Sequence, residues 1–435
     1  MSQPAQTPFV ESLLTAELPA TGKGLAWLDA SRREHLAAFV AAGLPDTRME
    51  AWKYTALRAL GQRRFLVGDA QAAMRPVDPA SLVLPGVDGL QLVFVNGAFR
   101  ADLSRIDSLP AGLSLQPLSQ ALERDAESLR FALTRPYREA GDAFARLNAA
   151  LAADGVVLQV AAGTKITPPI SMIFVGAAAE ADLSWHVRNV IELGEGAELN
   201  LVEQHVASGE PSHLGTVVTD IVLRDDARLQ HSVLQNAAEA STLIRRGSLQ
   251  LSARAQASLH VLELGGALVR HDLQAELIGD QARLDTRGVF VLRGRQHVDT
   301  QLAIRHQARN TASESIWRGV ADQRARGVFR GAIVVAEGAD GSDANLSNKN
   351  LLLSAQAEID TKPELEIYAD EVKAAHGATI GQLDERAMFY LRSRGIPLAE
   401  ARGILTAAFC RSVFESLPGE ALREHVSTAL IAHLP

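Results

Sequence analysis

A four-residue phrase returns along the second half of this chain. Gly196-Ala197-Glu198-Leu199 comes back as Asp226-Ala227-Arg228-Leu229, Gln256-Ala257-Ser258-Leu259, Gln281-Ala282-Arg283-Leu284 and Gln356-Ala357-Glu358-Ile359. Its alanines stand 30, 30, 25 and 75 residues apart, and the last interval fits three turns of about 25. Gly331-Ala332-Ile333-Val334 falls where one missing copy is expected. Gln307-Ala308 lies near the other slot, where Asn310 interrupts the apolar position. A regular return at this length signals stacked units, none able to bury its apolar face alone. The units read as short strands punctuated by Gly, Asp and Asn, with no helix between them, so the pattern predicts a β-helix. Leu199, Leu229, Leu259, Leu284 and Ile359 are then expected to form one internal aliphatic ladder.

The flanks differ. Residues 1–150 read as mainly helical, with helix-like spacing over Leu25–Gly43 and Leu118–Ala153 and breaks at Pro45 and Pro136. Leu90–Gly97 reads as a strand running into a turn, and residues 64–89 as a linker or irregular tract. The β-helix is expected over 151–375 and a helical appendix over 376–435. In that appendix Leu398, Ala401, Leu405, Ala408, Phe409 and Val413 form one apolar stripe, Pro418-Gly419 ends it, and Glu420–Leu434 forms another helix.

At 435 residues and 47% hydrophobic, the chain has the size and composition of a water-soluble protein with a large core. Its net charge of −8 and pI near 5.9 give no footprint for nucleic acid or anionic membranes. No apolar run is long enough to span a bilayer, and Met1–Ala20 lacks the basic and apolar regions of a signal peptide. Cys410 is the single cysteine, so no internal disulfide forms and a cytoplasmic location is expected. An iron–sulfur cluster normally takes about four thiolates, which this chain alone cannot supply. It has no phosphate loop, no H-E-x-x-H or clustered cysteines, and no G-x-S-x-G elbow. Nothing marks a self-contained enzyme.

The densest local signal is Glu364–Gly395. Leu365, Ile367 and Ala369 alternate with Glu366, Tyr368 and Asp370 as in a half-buried strand. Lys373-Ala374-Ala375-His376-Gly377 reads as a turn. Asp384 then opens a helix, with Leu383 and Met388 as its hydrophobic staple and Gly395 closing it. His376 is the main candidate for chemistry, because a neutral imidazole binds iron or passes a proton near neutral pH. Glu366, Asp370, Glu371 and Lys373 are its candidate supports, and Glu364, Glu366, Asp370 and Glu371 form an acidic strand end able to attract iron. His271, His297 and His306 read as structural or surface residues, and Cys410 as a buried inert thiol. Glu50-Ala51-Trp52-Lys53-Tyr54-Thr55 offers two aromatic anchors suited to clamping one element onto another.

The block around His376-Gly377-Ala378-Thr379-Ile380-Gly381, together with the E-x-W-K-Y-T motif at Glu50–Thr55, resembles the SufB/SufD family of iron–sulfur cluster assembly proteins. Within it the SufD branch is the nearer, since SufB members usually carry an acidic residue where this chain has Gly377. The resemblance implies a right-handed parallel β-helix flanked by helices, and a non-catalytic scaffold subunit of an ATPase-driven complex. It implies pairing with a SufB-like protein through the last turns of the two β-helices. A SufC-like ATPase is expected on the C-terminal helices, with Leu398, Ala401, Leu405 and Phe409 as docking candidates. His376 is then placed at the SufB interface, with iron or a nascent cluster there and a reduced flavin in the complex as a further implied cofactor. Two departures stand out. Ala374 occupies a position where many SufD relatives carry cysteine, and Ser347–Leu353 lacks the cysteine of SufB. A SufB-like scaffold is the nearest alternative. A β-helix enzyme acting on polysaccharide is the more distant one, disfavoured by an aromatic content of only 5%.

Overall fold

Short parallel strands joined by tight corners wind residues 156–381 into a flattened tube with two walls. The computed structural model describes residues 7–434. Successive strands alternate between two ten-stranded sheets. The first wall runs from Val156–Val160 and Leu183–Leu193 to Arg326–Val335 and Glu358–Ile367; the second runs from Lys165–Ala177 and Glu198–Ser208 to Asp343–Leu352 and Lys373–Gly381. The expected parallel β-helix is therefore present, with helices at both termini.

The corners explain the repeat. Gly196, Asp226, Arg254, Gln281, Asn310 and Gly341 all adopt left-handed backbone, with φ between 56° and 75°. Each points its N–H at a carbonyl of the following turn, as in Asp226 N to Ala253 O at 2.9 Å and Arg254 N to Asp280 O at 2.8 Å. Non-glycine residues tolerate this conformation at a cost, here against a hydrogen bond gained per turn. The next residue points inward at the tightest place, so it is small: Ala197, Ala227, Ala255 and Ala282 are fully buried.

This register corrects the ladder expected from the sequence. Leu199, Leu229 and Leu284 do share a row, but the third member is Ala257. Leu259 lies two residues further along, opposite His231 and Thr286, and Ile359 belongs to the other wall, opposite Gly327. All five aliphatic residues are nonetheless interior. The copy at Gly331–Val334 also lies in the first wall, within Arg326–Val335.

Parallel sheets expose apolar residues on both faces and need cover on both. The N-terminal helices, including Ala26–Ala42 and Ala143–Leu151, cover the first wall: Phe9, Phe39, Trp52 and Phe144 pack with its outward Leu214 and Ile244. The C-terminal helices Leu398–Arg411 and Glu420–His433 cover the second, where Cys410, Val413, Phe414 and Leu422 meet Val202, Leu262, Val289 and Val320. Leu25–Gly43 forms its helix with Gly43 as the C-terminal cap. Leu118–Ala153 is divided instead: Leu118–Leu133 bends at Asp125, and Ala143–Leu151 follows beyond Pro136.

The N-terminal region also supplies strands: the one expected at Leu90–Gly97 is present as Leu90–Val95, and others, such as Leu113–Pro117, were not anticipated by the helical reading. Leu90–Val95 extends the second wall and turns back on Ala98–Phe99, while Leu113–Pro117 closes the first wall antiparallel to Val156–Val160. Glu50–Thr55 fastens the same region to the middle of the first wall. Buried Trp52 stacks under Arg270 at 4.0 Å, and Thr55 Oγ1 donates to Asp299 Oδ2 at 2.5 Å. Glu50 reaches Lys362.

Candidate functional site

The tube ends differently at its C-terminal side. Glu358–Ile367 pairs only with Arg326–Val335, and Lys373–Gly381 only with Asp343–Leu352. Each therefore presents one unpaired row of backbone N–H and C=O groups. The segment expected to be a turn at Lys373–Gly377 is thus a strand, and it carries the β-helix past 375 to Gly381. Its alanines and glycines have little intrinsic strand preference; the ladder offered by Asp343–Leu351 decides the conformation.

His376 stands in register with Leu346, an interior residue of the previous turn. Ala374, His376, Ala378 and Ile380 continue the inward row of Ala344, Leu346, Asn348 and Asn350. Because no turn stacks beyond them, His376 and Ile380 are exposed at the mouth of the tube. Lys373 N donates to Ser342 O at 2.9 Å, and parallel strands alternate their hydrogen-bonding direction residue by residue. The N–H groups of His376, Ala378 and Ile380 consequently face the open edge. On the neighbouring edge strand, Tyr368 N donates inward to Val335 O, so the position lacking an N–H, Pro363, falls on the open side. A proline is tolerated there and narrows which strands can add.

The carboxylates suggested as supports do not converge on His376. Glu364 is held by Arg330 at 2.5 Å and Lys362 at 2.7 Å. Burial works to raise its pKa, but those hydrogen bonds and charges leave it below the usual glutamate value. Glu366 lies on the same outward row and accepts from Tyr368 Oη at 3.1 Å. Asp370, Glu371 and Lys373 are exposed at the last corner, where Glu371 O accepts from Gly341 N. Among the described residues, no three His, Cys, Asp or Glu side chains are grouped to hold a metal ion. The acidic strand end is therefore partly neutralised by its own cations, and a metal held at His376 needs further ligands from elsewhere. Ser347 sits directly beside Gly377, and Ala344 beside Ala374, with no sulfur at either place.

Near this mouth lies helix Glu385–Ser393, capped by Asp384, whose Oδ1 accepts from Arg386 N at 2.8 Å. Gly395 follows with φ 86°. The docking stripe splits into two roles. Ala401 is fully buried and unavailable to a partner, and Phe409 is half-buried on the second wall with Arg318 5.7 Å from its ring. Leu405 is half-buried, whereas Leu398 is 49% exposed. The larger exposed apolar side chains here are Phe389 and Tyr390, with Ile404, which the stripe pattern did not select. Cys410 is fully buried, and burial pushes its thiol up to about 12, the chemistry of an inert thiol.

The three histidines read as structural or surface residues are held in the walls. His306 is completely buried between Thr311 and Ser313, His271 is buried in the lumen, and His297 meets Thr55. The sequence reading missed a buried polar set inside the tube: Glu203, His205, His231, Arg245 and Glu263. Their signal was present, since Glu203 and Glu263 continue the inward period-two rows of Leu199 and Ala257, but polar residues on such rows read as surface.

Two family descriptions match the chain: the SufBD protein N-terminal region over residues 20–172, and the SUF-system iron–sulfur cluster assembly SufBD core domain over 174–409. The chain is 30% identical to the iron–sulfur cluster assembly protein SufD of Escherichia coli (strain K12), over 93% of this chain and 92% of that protein. It is 29% identical to a SufBD family protein of Synechocystis, covering 86% and 84% of the two chains. With the SufD of Bacillus subtilis it shares 26% identity, over 65% of each. No helix among the described residues is long and apolar enough to cross a membrane. By the match of both regions and by this similarity, the chain belongs to the SufB/SufD family of iron–sulfur cluster assembly proteins and is SufD-like.

Proposed function

We propose that this chain is the SufD-type scaffold subunit of a cytoplasmic SufB–SufC–SufD complex, non-catalytic by itself, and that it meets SufB at the open end of its β-helix. The observation that carries this reading is the pair of unpaired edge strands, one of which carries the exposed His376. A second β-helix offering its own last turn can add main-chain hydrogen bonds and cover Ile367 and Ile380. SufC docks on the C-terminal helices, through the exposed Phe389, Tyr390, Leu398 and Ile404 rather than through Ala401. ATP-driven movement of SufC is then passed through the stiff tube to the interface as a rigid-body displacement. Iron or a nascent cluster is assembled at that interface as cargo, with His376 supplying one ligand or a proton and SufB supplying the others. A reduced flavin enters as a partner of the assembled complex, not as a group held by this chain alone.

The test is His376→Ala and His376→Asn in the reconstituted three-protein complex. Both are expected to leave assembly nearly intact and to lower cluster formation sharply, because each removes an iron ligand from an exposed position. Equal cluster yield per intact complex in wild type and both variants reduces His376 to a surface residue. The double variant Leu398→Asp with Ile404→Asp, at exposed positions of the C-terminal helices, separates the two docking faces: SufC binding is lost and SufB pairing kept. The reverse pattern in a pull-down means that the faces have been exchanged.

A further inference from the structure

The lumen of a β-helix is normally filled with stacked aliphatic side chains, and most of this one is. Near its middle the filling changes. Glu203, almost completely buried, accepts from His205 Nε2 at 2.6 Å, from His231 Nε2 at 3.1 Å and from Arg245 Nη2 at 3.0 Å. Two strands further on along the same wall, Glu263 accepts from Thr300 Oγ1 at 3.0 Å and lies 3.4 Å from His271 Nδ1. All of these side chains are more than nine-tenths buried except Thr300, whose residue is equally enclosed.

Two small cavities adjoin this set. The first, about 30 Å³, is lined by Glu203, His231, Arg245 and His271, with Thr219, Arg246, Ser248 and aliphatic side chains around them. The second, about 20 Å³, is lined by Trp185 and His205 beneath Phe174. Cavities of about 10–15 Å³ or more, measured this way, hold a water when polar partners are present. Five of the lining side chains bring polar atoms with no hydrogen-bond partner among the described residues: His231 Nδ1, His271 Nδ1 and Arg245 Nη1 at the first cavity, His205 Nδ1 and Trp185 Nε1 at the second.

The chemistry of these atoms selects the occupant. A carboxylate only accepts, so the hydrogen-bond network assigns a proton to Nε2 of both His205 and His231. In the neutral ring Nδ1 is then an acceptor. Guanidinium and indole N–H groups only donate. Each cavity thus sets an unsatisfied donor against an unsatisfied acceptor in a space of molecular size. An anion satisfies only the donors, and both nearby guanidinium groups already have carboxylate partners, Arg245 with Glu203 and Arg246 with Asp142, which leaves no surplus positive charge for one. A metal ion meets no suitable ligand group. Water both donates and accepts.

We propose that the lumen binds one water in each cavity, and that the two waters join the polar side chains into a single hydrogen-bonded file along the tube axis. The file begins at Trp185, passes through His205, Glu203 and His231, and reaches Arg245 and His271. From there Glu263 and Thr300 continue it. It crosses from strand Leu183–Leu193 to strand His297–His306, four strand steps along the first wall. At about 4.8 Å per step this is about 19 Å of polar interior.

Water-proton and oxygen-17 relaxation dispersion on the full-length protein counts such waters by their long residence. Two of the long-lived waters of the wild type are expected in the lumen. Trp185→Phe removes the donor of the second cavity while keeping most of the ring, and is expected to lower the count by one. Arg245→Lys keeps the charge but removes the Nη1 donor of the first, and is expected to lower it by one as well. A crystal structure of the wild type at high resolution supplies the second readout, which does not depend on any variant folding. Two density peaks of water size at the lining atoms support the file. Dry cavities, a count of long-lived waters unchanged in Trp185→Phe, or density of an ion overturn it.

Discussion

The two ends of the tube are built from the same wall strands and finished in opposite ways. At the N-terminal end, Leu113–Pro117 and the Leu90–Phe99 hairpin terminate the sheets, and Phe94 stacks on Phe174 with ring centres 5.5 Å apart. At the C-terminal end, the inward row simply stops at Ala374, His376, Ala378 and Ile380. A covered end buries its last apolar layer inside the chain; an open end leaves it exposed. The lesson is that the same parallel ladder closes on itself where the chain caps it and leaves main-chain groups unpaired where it does not.

That contrast is sharpest in side-chain truncation. Phe94→Ala removes a fully buried ring at the capped end and is expected to cost about 3–5 kcal/mol in urea unfolding of the isolated chain. Ile380→Ala at the open end is expected to stay within about 0.5 kcal/mol, as at ordinary exposed sites. Similar losses at both ends mean that the C-terminal end is covered in the isolated chain.

Acid tests the walls, which both ends share. Burial lowers His186 to about 3 and both His260 and His306 to about 4. The unfolded chain accepts these protons near 6.5 and the folded one refuses them, so between about pH 6.5 and 4 the unfolded state binds more protons. Stability is therefore expected to fall as pH drops through that window, by on the order of 1–3 kcal/mol per histidine, and to be flat in this respect above pH 7. Melting temperatures measured from pH 8 to 4 check it; unchanged stability across the window means that these histidines are charged in the fold.

The open edge offers a change with little effect on the fold and a large one on assembly. Ala378→Pro removes an N–H that faces outward, so the ladder to Asp343–Leu352 keeps its bonds. The isolated chain is expected to melt within a few degrees of wild type, while SufB pairing weakens by at least about tenfold, one strong hydrogen bond's worth. Undiminished pairing excludes strand addition at this edge. The smallest effect is expected at Cys410: native protein at pH 8 should resist iodoacetamide, and the unfolded protein should react fully. Rapid labelling of the native chain means that the C-terminal helices lift off the second wall.

Much of this was readable beforehand, for reasons tied to particular residues. The repeat was visible because left-handed corners admit few residue types and the place after them admits only small ones, as at Asp226-Ala227 and Gln281-Ala282. It slipped by two at Arg254-Ala255-Gln256-Ala257, where alanines stand at both positions and only hydrogen-bond register distinguishes them. Lys373–Gly381 was unreadable as a strand because its own residues do not prefer one. The buried file was missed because Glu203 and Arg245 belong to different walls and meet only across the lumen. His376 was legible as a residue, through the motif around it, but not its place at the mouth, which depends on Leu346 a turn earlier.

The N-terminal cap has one more consequence, for how many molecules can join. A tube open at both ends can add neighbours at each and grow into a filament without limit. This tube leaves one terminus open, so the end-to-end pairing proposed above has a valence of one. Joined in that way with another of the same kind, it would make a pair and stop. The hairpin at Leu90–Phe99 and the strand Leu113–Pro117 would then set stoichiometry from the far side of the molecule, away from the open end.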